Sequence, residues 1–206
     1  MPSQQRLGRR LMACCLIVVF DAVPAAAEEI RDWPCAAPLA EKFDPVQVWG
    51  SPLPSSLPES WRQDPGVREV VEFAANPENP PGQGAKQIVA FAAPLGAERE
   101  ERLLLLFAGL LDQFNLLREF ALEGVRDFVL RAKILRDAVA QNDAALAALV
   151  GGGARVEAQR RAYSQARSLD ARSMDDAMEE AEFLCRRYGY LGRKLRELTA
   201  AIRAAL

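Results

Sequence analysis

The chain has 206 residues, with 26 basic and 28 acidic side chains, a net charge of −2 and no histidine. Without histidine there is no Ser-His-Asp or Cys-His catalysis, no His-ligated haem and no histidine-based zinc or copper site, so no cofactor is expected. The lack of a basic excess argues against a general nucleic-acid binder.

Residues 1–27 have the pattern of an export signal: Arg6, Arg9 and Arg10, then an apolar stretch from Leu11 to Phe20, then Pro24 and Ala25-Ala26-Ala27 before Glu28. Ten apolar residues are half of what a bilayer span needs, so cleavage after Ala27 and a periplasmic location are expected. Cys14 and Cys15 read as ordinary apolar residues of that stretch. Arg9-Arg10 alone does not make a twin-arginine signal. Cleavage removes three bases and one acid, leaving 179 residues with 23 basic and 27 acidic side chains, a net charge of −4. That length suffices for one domain with a real core.

Cys35 and Cys185 are the only cysteines beyond the signal. In an oxidising compartment they suggest one disulfide, the alternatives being two unpaired thiols or one exposed thiol used in chemistry. With no Cys-x-x-Cys pair, a thioredoxin-type site has no support.

Residues 28–63 carry six prolines and all three tryptophans, Trp33, Trp49 and Trp61. Such proline density forbids long helices and central strands, while the aromatics argue against a disordered linker. The segment is expected to be an extended strap whose tryptophans and Cys35 dock on a helical body; an exposed aromatic surface for a partner is the second reading.

A helical domain is expected over 64–206. Asp64-Pro65 is an N-cap followed by proline at the first helical position, giving a short helix over 64–75 with Val67, Val70, Val71 and Ala74 on one face. Asn79 to Gly84 reads as a turn, and Gly82-Gln83-Gly84-Ala85-Lys86 is no phosphate loop. A second short helix is expected over 84–93, with Ile88, Phe91 and Ala92 inward.

Two long arms follow, 97–149 and 154–206, separated by Gly151-Gly152-Gly153. Apolar residues recur in alternating steps of three and four, from Leu103, Phe107, Leu110 and Phe114 onward in the first arm and cleanest at Met174, Ala177, Ala181, Leu184, Tyr188, Leu191 and Leu195 in the second. Equal arms of about 80 Å with a short connection imply an all-α, coiled-coil-like antiparallel hairpin. Cys185 should fall opposite about Glu119. Leu103 to Phe120 is apolar on more than one face, so the short helices and the strap must cover the surplus. Gly189 and Gly192 are the weak points, where the second arm bends, breaks or admits a close neighbour. The composition leaves carboxylate-only calcium or magnesium sites open, but no calcium-loop spacing appears.

Charge is segregated along the second arm. Arg155, Arg160, Arg161 and Arg167 make its distal part basic, Asp175 to Glu182 is acidic, and Arg186 to Arg196 is basic again. A solvated helix face explains this most simply; distal arginines contacting an acidic partner or, weakly, an anionic membrane surface is the sharper reading.

Asp32-Trp33-Pro34-Cys35, Val48-Trp49-Gly50, Asp64-Pro65, Ile88 to Ala92 and Leu106-Phe107-Ala108-Gly109 with Asn115 and Arg118 together resemble a family of secreted or periplasmic alphaproteobacterial proteins. The resemblance covers most of 32–131 and implies an exported helical protein; it supplies no catalytic residue. The expectation is a non-enzymatic interaction, adaptor or assembly protein presenting a helical hairpin to a protein partner. The alternative is a binding module for a small apolar ligand between the base helices and the strap.

Overall fold

The computed structural model describes residues 33–37, 40, 42–52 and 60–206. The expected signal, residues 1–27, lies outside the described residues, as do parts of the strap. The compact unit Asp32–Leu206 is all-α, and among the described residues there is no strand. Its elements are α1 (Pro45–Trp49), a 3-10 turn (Trp61–Gln63), α2 (Pro65–Ala75), α3 (Pro81–Ala92), a 3-10 turn (Gly96–Glu98), α4 (Arg99–Ala148) and α5 (Ala154–Ala205).

Helices α4 and α5 form the antiparallel hairpin. They have 50 and 52 residues, so each is about 75–80 Å long. Gly151 and Gly153 make the reversal at φ +87° and +116°, a region where a side chain would be strained. Arg118 meets Tyr188, and a Cβ on Gly124 would lie 2.6 Å from Leu184. Cys185 therefore sits nearer the level of Ala121 and Leu122 than of Glu119. Side chains lean towards their own helix's N-terminus, which on antiparallel helices shifts facing pairs in opposite directions.

Helix α2 starts as its sequence demands. The Asp64 carboxylate accepts from the backbone N–H groups of Gly66 and Val67, and Pro65 follows at the first helical position. Arg102 of α4 grips the same carboxylate at 2.9 and 2.8 Å, tying the cap to the hairpin. Burial pushes the Asp64 carboxyl up, but Arg102 and the two N–H donors outweigh it and hold the group below its ordinary value.

Helix α3 begins at Pro81, earlier than periodicity suggested. The expected turn over 79–84 is in part its first turn, with Pro81 in the position that needs no N–H. Gly84 lies within this helix, and its missing Cβ lets α5 pass very close: a Cβ there would stand 2.7 Å from Leu198.

The main core gathers at the base. Leu103, Leu106, Phe107, Leu110 and Phe114 of α4 pack with Val67, Val70, Val71 and Ala74 of α2, Ile88 of α3, Leu191, Leu195, Leu198 and Ile202 of α5, and Trp61. The apolar surplus of α4 is thus taken up by protein side chains. Helix α5 runs unbroken through Gly189 and Gly192. The close neighbours are strap residues and neither is a tryptophan: a Cβ on Gly192 would be 3.4 Å from the Phe43 ring, and one on Gly189 4.0 Å from Ala37.

Cys35 and Cys185 form a disulfide across 150 residues of sequence. In the chain-entropy picture such a loop contributes about 5 kcal/mol. Reduction and alkylation of both thiols should lower the unfolding free energy by about 3–5 kcal/mol in urea titrations; a loss below about 1 kcal/mol would mean that noncovalent contacts alone hold the strap.

A Cβ on Gly109 would lie 2.7 Å from Val71 Cγ2 and 2.9 Å from Trp61 Cδ2. Gly109→Ala should therefore destabilise by about 1–3 kcal/mol through overpacking, whereas Gly189→Ala should stabilise by up to about 1 kcal/mol. Thermal melts of the two variants check the opposite signs.

Candidate functional site

Sequence-predicted site residues fall into two groups that the fold keeps apart. The strap group is fastened to the base. Trp33 meets the Tyr188 ring edge-on at 5.7 Å, and its Nε1–H donates to the Ala37 carbonyl at 2.8 Å. Trp49 stacks on Phe107 at 4.6 Å. Trp61 is only 2 % exposed, and its Nε1–H is buried without a hydrogen-bond partner. Packing therefore occupies the tryptophans, with Trp33 and Trp49 half-buried.

The strap's fastening centres on Arg118, which is almost fully buried. Its guanidinium lies between the Phe43 and Tyr188 rings, 4.2 and 4.1 Å from their centroids. It donates to the Ala40 carbonyl at 2.8 Å and to the Tyr188 hydroxyl at 2.5 Å. That hydroxyl in turn donates to the Ala40 carbonyl and accepts from the Ala40 N–H. Further along, Asn115 accepts from the Phe43 N–H. Arg203 donates to the Val48 and Trp49 carbonyls and lies over the Trp49 ring. The strap is not extended throughout, since Asp44 caps the short helix α1 within it; its backbone groups at Ala40, Phe43, Val48 and Trp49 are satisfied by side chains of α4 and α5.

The second group lies on the distal arm. Arg155, Arg160, Arg161 and Arg167 are all exposed. Arg167 pairs with Asp143 across the hairpin at 2.5 Å, and Arg160 approaches Glu157 at 4.0 Å. Pairs this exposed are worth little in stability; Arg167–Asp143, with Asn142 donating to Asp170 at 2.9 Å, marks the register of the arm. Among the described residues, nothing on α4 beyond Ala132 or on α5 before Ala177 is buried. The arm nevertheless carries large apolar side chains outward, with Leu130, Ile134 and Leu169 each close to 60 % exposed.

A feature that sequence reading left among the charge blocks is a groove of about 520 Å³ beside α5. Asn76, Pro77 and Glu78 form one wall, and Phe183, Arg186, Arg187, Tyr190 and Arg193 form the other. Phe183 is 51 % exposed. The spacing of 183, 186, 190 and 193 places these residues on the face of α5 turned away from α4. Behind this wall, Lys194 is fully buried, and its Nζ donates to the carbonyls of Asn76 at 2.5 Å and Asn79 at 2.8 Å. It read as one more surface base in a charged run; only the approach of the α2–α3 turn buries it.

The described residues hold no group of acids and cysteines that could bind a metal. No helix among them is long and apolar enough to cross a membrane.

Burial pushes the Lys194 ammonium down from 10.5 to about 8. Between those values the unfolded chain holds a proton that the folded chain has released, so stability should rise with pH across that window. The neutral amine keeps two N–H donors for its two carbonyls. Urea midpoints should rise from about pH 8 towards pH 10.5 by the equivalent of up to about 3 kcal/mol, and Lys194→Met should abolish the rise.

Compared with known proteins, the chain matches no family model, no curated protein and no solved structure.

Proposed function

We propose that this is a non-enzymatic, exported interaction or assembly protein that presents the distal hairpin arm to a protein partner. The observation behind this reading is the coreless arm. Past Ala132 and before Ala177 it buries no residue, yet it holds Ile134 and Leu169 out in solvent, with Leu130 exposed at its root. Large apolar side chains on an extended two-helix arm stabilise nothing within the chain, but they suit a second surface. Exposed Arg155, Arg160, Arg161 and Arg167 flank them and would favour a partner with acidic groups at its rim. Export and a periplasmic location rest on the pattern of residues 1–27 and on the resemblance to exported helical proteins; the Cys35–Cys185 disulfide is consistent with an oxidising compartment.

The test replaces the outward apolar side chains, as Leu130→Glu, Ile134→Glu and Leu169→Glu in one chain. A photo-crosslinker at exposed Asp137, one turn from Ile134, should trap one discrete protein in the source periplasm with the otherwise unaltered chain and lose it in the substituted one. Melting of the base should stay within a few degrees. Equal trapping by both chains would sink the proposal.

A further inference from the structure

The face of α5 turned away from α4 carries a charge pattern that is complementary to itself when reversed. Phe183 stands at its centre. Three and four residues before it are Glu179 and Glu180; three and four residues after it are Arg186 and Arg187. Seven before is Asp176 and seven after is Tyr190, with Arg193 one turn further. These spacings follow the helical repeat, so the acids, the aromatic and the arginines form one continuous stripe.

Within a single chain this arrangement is poorly satisfied. Asp176 and Glu180, and likewise Asp175 and Glu179, are like charges at i,i+4, which is unfavourable. Among the described residues, none of Asp175, Asp176, Glu179, Glu180, Arg187 and Arg193 takes part in an ion pair. Arg186 reaches Glu182 only at 3.9 Å.

We propose that α5 pairs antiparallel with α5 of a second copy about a two-fold axis at Phe183. Glu179 and Glu180 of each copy then meet Arg186 and Arg187 of the other, Asp176 comes beside Tyr190 and Arg193, and the two Phe183 rings meet on the axis. An isologous interface requires this kind of self-complementarity. The basic half of the stripe is one wall of the groove beside Asn76, Pro77 and Glu78. The acidic half lies on the arm side of Cys185, where the helix pair is slender, so the acidic segment of one copy enters the arginine-lined groove of the other. Glu78 is the one acid on the groove wall, and it faces the incoming acids against three arginines. Antiparallel pairing at this point places the two hairpin tips at opposite ends, about 90 Å apart along the helix axes. The pairing rests on the central part of α5 and stands independently of what the tip binds.

Sedimentation equilibrium of the disulfide-bonded protein at about 50 mM and about 500 mM salt tests it. A dimer is expected whose dissociation constant rises at least tenfold at the higher salt. Glu179→Arg with Glu180→Arg, and separately Arg186→Glu with Arg187→Glu, should each weaken the dimer at least tenfold, with unchanged helical circular dichroism. An equimolar mixture of the two variants should recover dimers, and so should one chain carrying all four reversals. Phe183→Cys should form a disulfide between copies. A wild-type monomer up to about 100 µM at low salt, or reversal variants that dimerise as well as wild type, or a mixture that fails to recover dimers, would overturn the proposal.

Discussion

Leu103, Leu106, Phe107, Leu110 and Phe114 spread apolar surface around more of α4 than one facing helix can cover, and all five are fully buried. A two-helix contact satisfies a narrow seam. The remainder has to be covered by something else, and the rest of the base is arranged by that need. Helix α5 takes one side, α2 and Trp61 take another, and Ile88 of α3 closes the space between α2 and α5. The close approaches at Gly84 and Gly109 mark where these layers are pressed together, for a Cβ at either would come within 2.7 Å of a neighbouring side chain. Dense packing of this kind makes the base the stable part of the molecule.

The strap is held by different physics. It has too few side chains to build a core of its own, and among its described residues regular backbone hydrogen bonds are confined to the short helix α1. Arg118, Tyr188, Asn115 and Arg203 supply donors and acceptors to its backbone, and the disulfide fixes one end. Arg118 is well placed for this because its planar guanidinium fills the gap between two aromatic rings while its N–H groups reach a carbonyl and a hydroxyl. Two of these residues, Arg118 of α4 and Tyr188 of α5, also bond to each other, so docking the strap reinforces the pairing of α4 with α5.

Beyond the base the hairpin has no third layer. Its side chains are half-exposed at the seam and exposed elsewhere, and pairs such as Arg167–Asp143 mark register and add little stability. An arm of this kind draws its order from continuity with the packed base, since long helices with little tertiary burial are marginal on their own. Its outward apolar residues and the segregated charges of α5 are therefore surface features of a scaffold whose stability is decided elsewhere.

Local chemistry determined much of this from the chain alone. Heptad spacing from Leu103 onward and from Met174 onward, three glycines between equal arms, and Asp64-Pro65 as a helix start are signals carried by neighbouring residues, and the hairpin and α2 appear where these signals lie. Cysteine count pointed to Cys35 and Cys185, and the disulfide is formed. Features that need two distant segments at once were decided only by the tertiary structure. Gly84 belongs to α3, where its missing Cβ makes room for Leu198 of α5. Helix α5 stays continuous at Gly189 and Gly192, where Ala37 and Phe43 pack beside it. Lys194 is buried because the Asn76 and Asn79 carbonyls converge on it across more than a hundred residues of sequence. Local sequence fixes the torsional preferences and the apolar period of each segment, whereas burial and electrostatic environment belong to the neighbours that folding brings together.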